Sequence, residues 1–168
     1  IEGSCDPLLR RPLSIHDCHP NKEGFILKIL YEVVGKGTSL LSEKKAFSEI
    51  DCIGPLGNGF DLQKLMVPEK KIFIVAGGMG VAPLFFLARK IKGIPKTKFQ
   101  TPIVVLIGGR TKEDILREKE FKDLGCEIKI ATDDGTAGFK GRVTDLLEKM
   151  ILDKGYAKRS SVVYGCGP

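Results

Sequence analysis

The stretch KIFIVAGGMGVAP, residues 71–83, decides the fold of this chain. Its first six residues form a compact apolar run rich in β-branched side chains, which is typical of a strand buried on both faces. Three glycines follow, and a helix-like stretch at residues 81–92 comes directly after them. Pro83 suits the first turn of that helix, because the backbone N–H that proline lacks has no partner there. The stretch therefore predicts a strand, a glycine-rich turn and a helix.

The same alternation of strand and helix continues to the end of the chain. Apolar runs predict further buried strands at 102–107, 127–131 and 161–164, and charged periodic stretches predict helices at 112–124 and 142–154. Apolar strands that alternate with helices indicate a parallel sheet wound on both faces.

The part of the chain that precedes residue 68 has a different pattern. Residues 24–34 (GFILKILYEVV) and 49–54 predict short strands, and turn clusters such as GPLGNG at 54–59 separate them. Short strands bounded by glycine and proline predict an antiparallel barrel or sandwich. We predict a partial β-barrel domain at residues 1–67 and a doubly wound α/β domain at residues 68–168.

Composition excludes several classes of protein. The chain is 42% hydrophobic and 29% charged, as in soluble globular proteins, and no apolar run reaches the roughly 18 residues that a transmembrane helix needs. No secretory signal is visible, and we expect a cytoplasmic protein. Its five cysteines are widely spaced, with no C-x2-C or C-x4-C pair, so we expect reduced thiols and no metal site. Cys18, beside His19, is expected to lie in a loop.

Positive charge is concentrated in the second part of the chain. Residues 1–69 hold 8 Lys and Arg against 10 Asp and Glu, whereas residues 70–168 hold 19 against 11. Few aromatic residues lie between the lysines, which speaks against nucleic-acid binding. Solvated helix faces explain the excess, and so does attraction of a phosphorylated small ligand.

Four predicted strand ends meet at one edge of the predicted sheet. In open α/β sheets, ligands bind outside the carboxyl ends of the strands. The glycines of GGMG allow close approach of a pyrophosphate, although a purely structural turn is an alternative. Arg110 suits a ribose or a phosphate, or is a surface arginine, and Asp133 and Asp134 are either an acid pair or a turn. Cys166 lies at the fourth strand end.

Two motifs of the first part also suit a phosphate. RRPLS, residues 10–14, places arginines before a rigid proline and a hydroxyl after it. GKGT, residues 35–38, offers backbone N–H groups to a second part of the same phosphate. Ordinary loops are the alternative for both motifs.

The ordered set R-P-x-S, G-x-G-T, G-P-L-G, G-G-x-G-x-x-P and C-G-P resembles the ferredoxin–NADP reductase superfamily. Within it, DPLLRRPLSI, GPLGNGF and TDDGTAGFKG are similar to the electron-transfer subunits of B-type dihydroorotate dehydrogenases. The resemblance implies an FAD-binding β-barrel followed by an NAD-binding domain. The opening strands of the barrel are not present before R-P-x-S, so we expect this chain to be part of a longer protein.

The resemblance also implies roles for individual residues. On the flavin side, Arg11 would pair with the diphosphate, while Ser14 would act catalytically beside the reactive edge of the ring. The family commonly has arginine where Glu32 stands, which argues against the implied contact of Glu32 with the flavin. The other implied flavin contacts are Pro12, Leu13, Leu30, Tyr31, Glu32, Gly37 and Thr38, with Tyr31 the stacking residue. The implied NAD(H) contacts are Gly77, Gly78, Gly80 and Cys166, and Cys166 would be catalytic where nicotinamide meets flavin. Their positions at the same strand ends make Pro83, Arg110, Asp134 and Gly165 further candidates for binding the cofactor.

By the same resemblance, hydride passes from NADH to flavin, and single electrons then pass to a [2Fe–2S] cluster. The cluster's cysteines would lie beyond this chain. The final partner would be the FMN-containing catalytic subunit of dihydroorotate dehydrogenase, in a heterotetramer of the pyrimidine pathway. Alternatives are an NAD(P)H–flavin reductase subunit for a hydrogenase, sulfite reductase or ferredoxin, and a non-catalytic nucleotide-binding module. The residues leave NADH and NADPH open, and the resemblance favours NADH.

Overall fold

The first part of the chain forms an antiparallel pair of strands in the computed structural model, which describes residues 9–62, 65, 71–94, 102–153 and 161–168. Strand β1 (Ile15–Asn21) pairs with β2 (Gly24–Ile29), and a short helix, α1 (Lys36–Ser42), follows. The predicted strand at 24–34 therefore ends at residue 29.

The predicted strand at residues 49–54 is wrong, since these residues have no regular structure. All six residues are exposed, so the alternation of polar and apolar side chains does not correspond to one buried and one exposed face of a strand. Cys18 lies in β1, and its predicted place in a loop is also wrong.

The second part of the chain forms a parallel sheet. Its strands are β3 (Lys71–Gly77), β4 (Ile103–Gly109), β5 (Glu127–Thr132), β6 (Phe139–Lys140) and β7 (Ser161–Cys166). Their order across the sheet is β6-β5-β4-β3-β7, and every neighbouring pair is parallel. The carboxyl ends of the strands consequently lie at one edge.

Helices cover both faces of this sheet. They are α2 (Val81–Lys92), α3 (Glu118–Asp123) and α4 (Val143–Asp153). Ile72 and Ile74 of β3 pack into one buried cluster with side chains of α2 and α3, whereas Phe73 and Val75 pack into a second cluster with α4. Successive residues of a strand point to opposite faces, so burial of both sets confirms the predicted doubly wound sheet. The predicted fold class, antiparallel β-structure followed by an α/β domain, is confirmed.

The predicted helix at residues 112–124 is interrupted. Lys112–Asp114 forms a 3₁₀ turn, and α3 begins only at Glu118. Arg117, just before α3, has a left-handed backbone with φ of 62°, which a continuous right-handed helix does not contain.

Two further predictions extend to residues that are not described. The predicted domain boundary, near residues 66–70, lies outside the described residues. Among the residues that the structure describes, no helix has both the length and the apolar character needed to cross a membrane.

Candidate functional site

The glycine-rich turn after β3 packs directly against the end of β7. In the parallel pairing of these strands, Ala76 lies opposite Cys166. A Cβ placed on Gly80 would lie 2.0 Å from the carbonyl oxygen of Cys166 and 2.7 Å from the backbone nitrogen of Gly167. A Cβ on Gly167 would lie 2.9 Å from Gly77. Only glycine at these positions lets the two backbones come so close, and the contact lies at the carboxyl edge of the sheet, where open α/β sheets bind ligands in a crevice.

The outer side of the same turn is open. Gly78 has a left-handed backbone with φ of 49°, and a Cβ placed there would meet no atom within 4 Å. Gly78–Gly80 forms a 3₁₀ turn that leads directly into α2. The first backbone N–H groups of a helix have no partners within the helix, and they carry a positive partial charge. The start of α2 therefore favours an anion through its positive partial charge, while the Val81 N–H donates within the turn and Pro83, in the first turn of α2 as predicted, has no N–H.

The glycines that end β4 allow protein segments, rather than a ligand, to pack against the backbone. A Cβ on Gly108 would lie 2.8 Å from the Cβ of Val143, at the start of α4. A Cβ on Gly109 would lie 2.8 Å from the Cβ of Asp114. Both glycines therefore allow protein segments to pack closely, while the next residue, Arg110, is exposed at the same edge.

The aspartates after β5 form a turn. The Asp134 carboxylate accepts hydrogen bonds from the backbone N–H of Thr136, at 2.9 Å, and from its hydroxyl, at 2.7 Å. These bonds lower the pKa of Asp134 below its ordinary value. The Thr136 hydroxyl oxygen also accepts a hydrogen bond from the backbone N–H of Lys112, at 2.9 Å. Of the two alternatives for this pair, the turn describes the observed contacts, and it ties the loop after β5 to the loop after β4.

Cys166 is half-buried at the end of β7, and its side chain packs against the larger apolar cluster. Its thiol is free. The neighbouring Gly165 has no atom closer than 3.9 Å to the position of a Cβ. Cys166 therefore contributes a small polarizable side chain beside the glycine turn, and its backbone carbonyl supplies the contact with Gly80.

The residues predicted to contact flavin lie around β1 and α1. Residues 11–14 are exposed and lead directly into β1. The Arg11 guanidinium donates a hydrogen bond to the backbone carbonyl of Leu9 at 3.2 Å, whereas Arg10 pairs with the Asp51 carboxylate. Arg11 is thus the more available cation for an external anion.

The segment between β2 and α1 carries the other predicted flavin contacts. Leu30 packs against the larger apolar cluster, Tyr31 is half-buried and Glu32 is exposed. The Thr38 hydroxyl accepts hydrogen bonds from the backbone N–H groups of Val34, at 3.0 Å, and Gly35, at 3.2 Å. It also donates to the Gly35 carbonyl at 2.9 Å. A hydroxyl donates one hydrogen bond and accepts two, so these three bonds leave none for a ligand. Thr38 therefore fixes the backbone at the start of α1, where Gly37 lies.

Sequence reasoning missed the contacts that connect these two groups of residues. His16 of β1 is buried, and its ring nitrogen Nδ1 lies 2.9 Å from the backbone carbonyl of Ala82 in α2. The neighbouring Asp17 is also buried and pairs with Arg89 of α2. Arg89 follows Asp17 by 72 residues, and no local pattern relates residues so far apart.

A cavity of about 440 Å³ lies beside these contacts, away from the strand-end glycines. Residues of β1, β2 and α2 line it, together with Arg117 and Glu120. Arg117 donates a hydrogen bond to the Glu120 carboxylate at 2.7 Å, and this bond lowers the pKa of Glu120. The charges of Arg117 and Arg89 are thus already paired within the protein, which leaves the strand-end crevice as the better candidate for an anionic ligand.

Comparison with known proteins places this chain in a family. The family model described as oxidoreductase NAD-binding domain matches residues 74–168, which include the whole glycine turn and the last strand. The solved structure of an NADH-dependent reduced ferredoxin–NADP oxidoreductase has a TM-score of 0.70 and 32% identity, and the match covers 95% of this chain and 52% of that one. The cytochrome b5 reductase domain of Ulva prolifera nitrate reductase has a TM-score of 0.62 and 20% identity over 92% of this chain and 72% of that one, a likeness of fold alone.

Two curated relatives share a name. A protein of Desulforamulus reducens is 41% identical over 97% of this chain and 57% of its own length. A protein of Geobacillus kaustophilus is 40% identical over 100% of this chain and 60% of its own length. Both are named dihydroorotate dehydrogenase B (NAD(+)), electron transfer subunit. The chain thus spans less than two thirds of the length of these relatives.

Proposed function

Because this chain belongs to the family of oxidoreductase NAD-binding domains, we propose that it carries electrons between NAD(H) and FAD as part of a dihydroorotate dehydrogenase B electron-transfer subunit. The observation that carries the proposal is the backbone contact of Gly77 and Gly80 with the segment 166–168. This contact lies at the strand ends, where α/β domains bind nucleotides, and the turn is open on its outer side at Gly78. The names of the two relatives support the choice of enzyme.

On the NAD(H) side, we assign binding of the diphosphate to the glycine turn. Gly78 and Gly80 let the phosphates approach the backbone, and the N–H groups at the start of α2 donate to them. Arg110 and Asp134 flank the crevice from the ends of β4 and β5, where they would contact a ribose. Gly165 and Cys166 would lie against the nicotinamide and help to exclude water from it. NADH, rather than NADPH, is the proposed substrate.

On the flavin side, the proposal assigns the diphosphate of FAD to Arg11 and to the backbone around Gly37, whose position Thr38 fixes. Pro12 and Leu13 would line the ring, with Ser14 at its reactive edge. Leu30 and Tyr31 would flank the flavin from the segment between β2 and α1. Glu32 is an exposed carboxylate and supplies no positive charge, so Arg11 is the cation of this site.

When bound, FAD and NAD(H) supply the hydride transfer and the single-electron steps that follow it. The protein brings the two rings into contact and keeps water away from them. We assign the [2Fe–2S] cluster to cysteines outside residues 1–168, because the five cysteines here have no cluster spacing. The proposed partner is the FMN-containing catalytic subunit, in a cytoplasmic heterotetramer.

The test is anaerobic titration of the full-length protein with NADH, followed by the visible absorbance of flavin. We expect bound FAD to be bleached by NADH, and to be bleached by dihydroorotate only after the catalytic subunit is added. A protein that binds no FAD, or whose FAD is not reduced by NADH, would refute the proposal.

A second candidate is a reductase subunit for another acceptor, which the 32% identity with the NADH-dependent ferredoxin–NADP oxidoreductase favours. In that case NADH still bleaches the flavin, but ferredoxin re-oxidises it and the dihydroorotate dehydrogenase catalytic subunit with orotate does not. The two acceptors, tested side by side on the same reduced sample, therefore separate the candidates.

A further inference from the structure

We propose that His16 is a positioning residue that sets the distance between the flavin-side segment ending at Ser14 and the nicotinamide-side turn ending at Gly80. This role rests on the proposed function. Its basis is the hydrogen bond between His16 Nδ1 and the backbone carbonyl of Ala82, at 2.9 Å. A carbonyl oxygen only accepts, so Nδ1 carries the proton and donates it.

The hydrogen bond between His16 and Ala82 connects Ser14, on the proposed flavin side, to Cys166, on the proposed nicotinamide side, by a short path. His16 stands two residues after Ser14, and Ala82 stands two residues after Gly80. Gly80 in turn packs against the carbonyl of Cys166. The path from Ser14 to Cys166 therefore contains four peptide links, one buried hydrogen bond and one backbone contact. A movement of His16 relative to Ala82 changes the separation of its two ends directly.

The surroundings of His16 hold its ring in one orientation. His16 is 7% exposed, and its ring stacks on Phe85 with ring centres 4.8 Å apart and an interplanar angle of 26°. Phe85 packs edge-on against Phe121 of α3, with ring centres 5.4 Å apart. The donor at Nδ1 is consequently fixed by aromatic packing and directed at a single carbonyl.

A second contact along α2 fixes the rotation of the helix about its axis. Arg89 pairs with the buried carboxylate of Asp17 and donates to the backbone carbonyl of Cys18 at 3.1 Å. Ala82, Phe85 and Arg89 are spaced at i, i+3 and i+7, so they share one helix face. β1 thus holds α2 at its first turn and again two turns later. Asp17 and Arg89 supply the attachment, and His16 supplies the contact closest to the crevice.

Two variants separate positioning from simple packing. His16→Phe keeps the stacked ring and removes the donor. His16→Asn loses the ring, but its amide nitrogen occupies nearly the same place as Nδ1 and keeps a donor for Ala82. A misplacement of about 1 Å between reacting groups can cost on the order of 100-fold in rate. We expect His16→Phe to slow flavin reduction at saturating NADH by at least about 10-fold.

The experiment uses the full-length FAD-loaded protein in rapid mixing with NADH. We expect His16→Phe to weaken the long-wavelength absorbance that stacked nicotinamide and flavin produce, with the dissociation constant for NADH unchanged. We expect His16→Asn to keep both the absorbance and a rate within about threefold of wild type. Without any nucleotide, hydrogen exchange of the α2 amides should rise in His16→Phe and stay at the wild-type level in His16→Asn.

Three results would overturn the positioning role. The first is flavin reduction in His16→Phe at the wild-type rate, and the second is a loss of rate in both variants in proportion to their loss of melting temperature. In either case, wild-type reduction by NADH shows that the proposed function survives. Failure of the wild-type protein itself to be reduced by NADH would refute the proposed function, and the positioning role with it.

Discussion

Replacement of Gly80 by alanine tests the contact on which the crevice depends. The backbone of Gly80 has φ of −58° and ψ of −17°, values that alanine adopts without strain. The added methyl carbon would nevertheless lie 2.0 Å from the Cys166 carbonyl oxygen and 2.3 Å from the carbonyl carbon. Both neighbours are backbone atoms, and no change of rotamer relieves the clash.

The magnitude follows from these distances. Contacts of Cβ below 3.0 Å are essentially never made, so Gly80 and Cys166 must move apart by about 1 Å. Overpacking of this kind costs about 1–3 kcal/mol, and we expect the upper end because the backbone of the glycine turn and of the end of β7 must shift. For a chain of 168 residues, about 3 kcal/mol corresponds to a fall in melting temperature of roughly 6–12 °C.

The assay is thermal unfolding, with Gly165→Ala as the matched control. Gly165 lies in the strand beside the turn, and a Cβ there would be 3.9 Å from the nearest atom, the Val75 carbonyl oxygen. We expect the control to melt within about 2 °C of wild type, because surface changes of this kind stay within about 0.5 kcal/mol. A Gly80→Ala protein that melts as the control does would refute the close approach of turn and strand end.

Three further predictions concern single side chains. Thr38→Val should lower the free energy of unfolding by about 1 kcal/mol, because two backbone N–H groups lose their acceptor. Urea denaturation checks this, and Thr38→Ser, which keeps the hydroxyl, should be much closer to wild type. Burial, together with the carboxylate of Asp61, raises the pKa of Tyr164, and the folded state thus favours its neutral form. The contribution of neutral Tyr164 to the free energy of unfolding is complete below the unfolded pKa of about 10 and is lost as the pH rises through the higher folded pKa. The urea midpoint should therefore fall at alkaline pH in wild type and fall less in Tyr164→Phe. Cys166→Ala should slow hydride transfer by roughly 10-fold while FAD stays bound; reduction kinetics equal to wild type would limit Cys166 to packing.

Where a local signal is strong, the sequence predicts the structure closely. The run at 71–76 and the proline at 83 predict β3 and α2 to within one residue, because apolar composition, glycine and proline all agree there. The alternation at 49–54 misleads because it reflects no buried face. The break at Arg117 carries no signal at all, since its left-handed backbone is one that arginine rarely adopts.

Some residues of the candidate site are likewise predictable from a local signal, and others are not. Glycines 77, 78 and 80 are recognisable because their spacing has a local cause, the turn between strand and helix. Gly108 has the same type of signal but serves the packing of α4 through Val143. The contact of His16 with Ala82 spans 66 residues and depends on how β1 meets α2, so only the folded structure reveals it.

A crystal structure of the full-length protein with FAD and NAD⁺ bound tests the proposed function most directly. We expect the NAD⁺ diphosphate over Gly78 and Gly80, hydrogen-bonded to N–H groups at the start of α2. We also expect the nicotinamide within about 4 Å of Cys166, facing a flavin beside Ser14. Binding of NAD⁺ at any other place, with the glycine turn empty, would contradict the proposed function.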